Sequence, residues 1–178
     1  MDRGKDGCMS LQWIGAVLII VGCGGVGFLM ALRDKREYDG VLQLIQAIEF
    51  MICELSYRMT PLPDLCRGVA GRSQGSVSRV FLKLSEELER QIAPDAACCM
   101  AAALAACYDV PTKTEAFLSQ LGMTLGQFDL QGQLQGLQGV KEGCELARKG
   151  MEQDRPQRLR GYQTLGLCAG AAIAILFI

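Results

Sequence analysis

Residues 11–32 run for 22 positions without a charge, and residues 161–178 for another 18. A helix rises about 1.5 Å per residue, so roughly 20 such residues cross a hydrocarbon layer about 30 Å thick. The chain is therefore predicted to hold an N-terminal tail at 1–10, a transmembrane helix at 11–32, a folded segment at 33–160 and a second transmembrane helix at 161–178. The middle segment carries 16 basic and 17 acidic residues, the balance of an ordinary solvated domain. A total of 178 residues suits one such domain.

Basic residues near the spans set the orientation. Arg33, Lys35 and Arg36 follow the first span, and Arg155, Arg158 and Arg160 precede the second. The far side of the first span has only Arg3 and Lys5. The positive-inside bias places the middle domain in the cytoplasm.

Composition narrows the function. The formal charge of −1 argues against nucleic-acid binding, which needs a net basic face. The absence of histidine removes the commonest general base and the usual catalytic zinc ligand. Neither catalysis nor a bound cofactor or metal is expected. None of the nine cysteines forms a C-x-x-C pair, and in a reducing cytoplasm they read as small apolar residues. Gly22, Gly24 and Gly27 fit G-x-G-x-x-G, but no second buried strand or acid follows at dinucleotide-fold spacing. Glycine within a membrane helix accounts for them through close packing. Ile20-Val21-Gly22-Cys23 resembles a lipoprotein cleavage site, yet the apolar run continues nine residues past Cys23.

The middle domain reads as all-α. Tyr38, Val41, Leu42, Ile45, Ile48, Ile52 and Leu55 form one helical stripe, ended by Thr60-Pro61-Leu62-Pro63. A short helix is predicted over 64–70, then a loop over 71–76. Val77, Val80, Phe81, Leu84, Leu88 and Ile92 make the next stripe, up to Pro94. An alanine-rich helix follows over 95–108. Thr112-Lys113-Thr114-Glu115 fits a capping box opening the helix of Phe117, Leu118 and Leu121. The last stripe is Leu130, Leu134, Leu137, Val140, Cys144, Ala147 and Met151, interrupted by five glycines. Each glycine costs roughly 1 kcal/mol against alanine, so packing must hold this helix. Pro156 is expected to kink or end it. No alternating run predicts a strand.

Several segments in order resemble the stage III sporulation protein AB family of endospore-forming bacteria. They are the glycine-containing first span with a basic exit, Glu54-Leu55-Ser56-Tyr57 before Thr60-Pro61-Leu62-Pro63, Leu121-Gly122, Leu125-Gly126, Asp129 with Gln133, and Leu165-Gly166. The resemblance implies a helical bundle similar to cytoplasmic domains of type II secretion and type IV pilus platform proteins. It also implies a structural role on the mother-cell side of a channel to the forespore. The implied partners are membrane lipid and other stage III A proteins, including the secretion-type ATPase protein AA, with self-association open. The glycine-rich last helix and Pro156 depart from the family pattern, where a continuous charged helix is expected.

The candidate interface or structural residues are Glu54, Tyr57, Thr60, Pro61, Leu62, Pro63, Asp64, Leu121, Gly122, Leu125, Gly126, Asp129 and Gln133. Each has a plainer reading. The proline segment terminates a helix, Glu54 and Tyr57 share a face that could hold the turn, and the glycines let the chain pass close to a neighbour. Gln133 could cap or bridge that corner. The alternative function is a membrane-bound helical regulator or sensor that binds one signalling partner.

Overall fold

The computed structural model describes the backbone of residues 5–90, 95–126 and 129–177, and the side chains of 29–30, 32–90, 95–126 and 129–153. The described residues form six α-helices and no strand. These are α1 (Lys5–Arg58), α2 (Leu62–Arg72), α3 (Gly75–Arg90), α4 (Ala96–Ala105), α5 (Thr112–Thr124) and α6 (Leu130–Phe177). The all-helical expectation holds. Lys35–Met151 forms one compact unit, and Met1–Asp34 with Glu152–Ile178 forms another. The expected spans 11–32 and 161–178 fall in the second unit. Their backbone is helical along α1 and, as far as Phe177, along α6, and nearly all their side chains lie outside the described residues.

Within Lys35–Met151 the core is built around α1. Val41, Leu44, Ile45, Ala47, Ile48, Met51 and Leu55 are buried. This face is wider than the predicted stripe, which missed Leu44 and Met51 and took in the half-buried Leu42 and Ile52. Three helices cover it: Phe50 lies against Gly68 of α2, Gly40 faces Thr114 of α5, and Glu49 pairs with Lys141 of α6 at 2.8 Å. A helix contacted from several sides has no narrow stripe to read. Among the described residues, Leu32–Arg58 has the length and apolar character to cross a membrane. Much of that apolar character is spent inside the bundle.

The remaining helices pack in chain order, α2 on α3, α3 on α4 and α4 on α5. Leu65, Cys66 and Val69 of α2 meet Val77, Val80, Phe81 and Leu84 of α3 in the core. Each fully buried large side chain contributes about 1.5–3 kcal/mol. Ser78 Oγ donates to the Ala70 carbonyl at 2.7 Å, tying α3 to the end of α2.

Several boundaries differ from the reading of the sequence, each for a local reason. α2 begins at Leu62, not Asp64, because prolines are accepted in a first helical turn, whose N–H groups have no partner to lose. The Leu65 amide donates to the Pro61 carbonyl at 2.9 Å, closing that turn. α2 also runs on to Arg72, and the loop expected over 71–76 shrinks to two residues before Gly75. Gly75 has φ +65°, which a glycine adopts without strain. Pro94 and Ile92, the expected end of α3, lie outside the described residues. α4 stops at Ala105, three residues early, where Cys107 donates to the Leu104 carbonyl in a tighter turn leading to Pro111. Pro156 does not end the last helix, which continues to Phe177.

The capping box is a correction. Pro111 occupies the N-cap of α5, and no side chain of that segment caps it. Glu37 of α1 does so instead, accepting from the Thr112 and Lys113 amides at 3.0 Å each. Thr112 and Glu115, read as the reciprocal pair, sit at the first and fourth positions inside the helix.

Two glycines of α6 have a packing reason. Gly136 faces Thr124, and a Cβ on Gly143 would come within 3.3 Å of the Phe117 ring. They lie two turns apart on one face, and α5 seats on it. Gly139 and Gly150 have open space around them.

Candidate interaction surface at the turn between α1 and α2

The end of α1 is held by a carboxylate. Glu54, only 16% exposed in its side chain, accepts from Thr60 Oγ1 at 3.1 Å and pairs with Arg58 at 3.5 Å. Met59 sits between them at φ +50°, a conformation that costs a non-glycine residue about 1 kcal/mol or more. The Glu54–Thr60 bond and the proline-fixed start of α2 hold the chain there. This bend leaves two large apolar side chains outside: Tyr57 is 85% exposed and Met59 73%. Pro61 is exposed beside them, while Leu62 and Pro63 are half-buried. Asp64 lies exposed in the first turn of α2 and pairs with Arg67 at 3.3 Å.

The second group of candidate residues lies on α5 and at its junction with α6. Leu121, Gly122 and Leu125 are buried. A Cβ on Gly122 would stand 2.6 Å from the Met100 Cβ, so this glycine lets α5 approach α4. Gly126 has φ +78°, turning the chain out of α5 in a conformation glycine tolerates. A Cβ at Gly126 would meet Ala96 at 3.7 Å and Leu62 at 4.0 Å. The α1–α2 turn, the start of α4 and the α5–α6 corner therefore share one end of the bundle. Residues more than 60 positions apart in sequence are brought together there.

Asp129, not Gln133, caps the last helix. Its Oδ1 accepts from the Gly132 amide at 3.0 Å, and its carbonyl accepts from the Gln133 amide at 2.9 Å. Asp95 does the same for α4, accepting from the Cys98 amide at 2.7 Å. That hydrogen bond holds the Asp95 carboxyl below its usual range.

Burial pushes the Cys66 and Cys144 thiols up to about 12, and both sit in the core as apolar residues. The Cys98 thiol is raised by its hydrogen bond to Asp95.

Two features had no readable sequence signal. One is Glu37, an acid in a charged run whose partner amides lie 75 and 76 residues away. The other is an open cleft of about 410 Å³ between α1 and α2, whose lining includes Phe50, Arg58, Arg67 and Arg72. The arginines are scattered in sequence, and only the crossing of the two helices gathers them.

The stage III sporulation protein AB family model matches residues 12–178. The chain belongs to that family. It is 25% identical over 171 residues to stage III sporulation protein AB of Bacillus subtilis (strain 168), covering 94% of this chain and 99% of the relative. A solved structure of a stage III sporulation protein AB superposes with a TM-score of 0.61 at 22% identity, over 68% of this chain and 98% of that one. At that identity the superposition speaks for the fold alone. Membership in a sporulation family and an all-helical fold thus agree with the resemblance read from the motifs.

Proposed function

We propose that this family member is a membrane-anchored assembly component of a secretion-like channel between mother cell and forespore. In this reading the helical bundle is a docking module that holds the cytoplasmic ATPase protein AA and sister stage III A proteins at the mother-cell membrane. It performs no catalysis.

The observation that carries the reading is the exposed pair Tyr57 and Met59, standing on a turn fixed by Glu54, Thr60 and two prolines. Binding energy at interfaces concentrates in a few large side chains, with tyrosine prominent among them. A turn already rigid loses little conformational entropy on association. The same end of the bundle gathers the two family-like segments. Membrane anchoring is supported by Leu29, Met30 and Leu32, which stand exposed on α1 just before the basic exit at Arg33. The basic residues around 33–36 and 155–160 support a cytoplasmic bundle.

The test is co-purification. The full chain, tagged and extracted with mild detergent from sporulating cells, should bring down the ATPase and at least one sister protein. A chain that elutes alone, or with one signalling protein and no channel component, would contradict the proposal in favour of a regulator.

A further inference from the structure

The cleft between α1 and α2 is lined by Arg58 and Thr60, the chain neighbours of Tyr57 and Met59, but differs from that pair in chemistry. Its lining holds three guanidinium groups, from Arg58, Arg67 and Arg72, against two carboxylates, Glu54 and Asp64. These groups are not equally engaged. Arg58 pairs with Glu54, and Arg67 is shared between Asp64 and Glu89. Arg72 sits over the Phe50 ring, its guanidinium carbon 4.1 Å from the ring centre. Among the described residues no carboxylate pairs with it. Gly68, whose Cβ would stand 3.3 Å from Phe50, lets the ring lie against α2 beneath that guanidinium.

A guanidinium stacked on an aromatic face is restricted in orientation while its N–H donors remain available at the edge. That arrangement suits planar, two-point recognition of a carboxylate. The cleft is an open groove rather than an enclosed cavity, and the exposed Tyr57 and Met59 belong to the same turn as its lining residues Arg58 and Thr60. A small anion would stay hydrated in such a groove. A peptide offering both acidic and apolar side chains matches both parts.

We infer that the α1–α2 cleft is a docking site for an acidic, apolar-bearing segment of a partner protein, with Arg72 as its principal carboxylate contact. The inference rests on the docking reading above and names the chemistry of the docked segment. Tyr57 and Met59 take the segment's apolar residues, and Arg72 takes the acids.

The experiment is selection of peptides from a random dodecapeptide display library on the full chain in detergent micelles. Selected peptides should be rich in Asp and Glu with at least one large apolar residue. Their affinity should fall with added salt and weaken about fivefold for Arg72→Gln, the scale of one exposed charge pair. Arg72→Lys, which keeps the charge without the planar fork, should recover only part of the loss. Arg90→Gln, on α3 and paired with Glu87, should change nothing. Melting temperatures of all three variants should match the parent. Selection of neutral or basic peptides, selection of none, affinity indifferent to Arg72→Gln, or displacement by inorganic phosphate at concentrations matching the peptide's would each overturn the inference. Normal co-purification of channel proteins alongside any of those results would leave the docking function standing and remove only this site.

Discussion

Gly122→Val should lower the melting temperature of the full chain in detergent by several degrees, while Gly139→Ala should raise it slightly. Both positions are helical glycines, and propensity alone predicts a gain of up to about 1 kcal/mol for alanine at each. Space reverses the sign at one of them. A Cβ at Gly122 would lie 2.6 Å from the Met100 Cβ and 2.9 Å from its Cγ. The Met100 Cβ is fixed to its backbone, so the clash cannot be relieved by a rotamer change and α4 must move from α5. Overpacking of that kind costs typically about 1–3 kcal/mol, and the branched valine adds to it. For a chain of this size each kcal/mol shifts the melting temperature by roughly 2–4 °C. Gly139 has nothing within 4 Å, so the propensity gain stands there. Equal effects of the two substitutions, in either direction, would contradict the close approach of α4 and α5.

Glu37→Ala should destabilise the bundle by about 2–3 kcal/mol and loosen the start of α5 most. Glu37 is only 9% exposed, and both of its carboxylate oxygens accept from amides at the N-terminus of that helix. A helix leaves its first amides without internal partners, and its dipole favours negative charge there. Hydrogen bonds to charged groups are worth about 1.5–3 kcal/mol, and removing the acceptor leaves donors facing a partly buried site. Glu37→Gln keeps one oxygen acceptor, so it should lose about half as much. Amide hydrogen exchange should rise at Thr112 and Lys113 before it rises in α3. A change below about 0.5 kcal/mol for Glu37→Ala, with unaltered exchange at those amides, would show that water or the local chain caps α5 instead.

These two positions also mark where the sequence could and could not be read. Helix existence was legible because apolar spacing and prolines are local signals, and the stripe of α3 appears as read from Val77 to Leu84. The break at Thr60–Pro63 was legible too, since proline acts on its own neighbourhood. The capping box was misread because a side chain from another helix outcompeted the local one. Nothing in Thr112–Glu115 records that Glu37 stands opposite. The glycines of α6 looked like one set, yet Gly136 and Gly143 seat α5 while Gly139 and Gly150 face open space. Only the neighbour decides which is which.

The candidate surface was legible in the same measure. The order of the motifs singled out the α1–α2 turn and the α5–α6 corner, and the fold brings Leu62 and Gly126 to one end. Their division of labour was hidden. Glu54 and Thr60 hold the turn, Asp129 caps α6, Leu121, Gly122 and Leu125 belong to the core, and Tyr57 is left pointing outward. Met59, the other exposed side chain, carried no motif at all. Sequence spacing identifies residues that share a helical face, but whether that face is covered depends on helices far along the chain.

The central claim is that the exposed side chains of the α1–α2 turn hold the channel partners. It is tested most directly by the double variant Tyr57→Ser, Met59→Ser, compared with Tyr108→Ser, a residue 98% exposed in the loop between α4 and α5. The measurement is the amount of ATPase and sister protein captured by the tagged full chain, taken with the melting temperature of each variant. Surface substitutions of this kind shift stability by about 0.5 kcal/mol or less, so all three chains should melt together. Loss of two central anchors should cut capture at least tenfold for the double variant, at roughly 1–2 kcal/mol for each side chain. Tyr108→Ser should capture as the parent does. Undiminished capture by the double variant, or an equal loss from Tyr108→Ser, would show that the turn is bundle architecture and that the partners bind elsewhere.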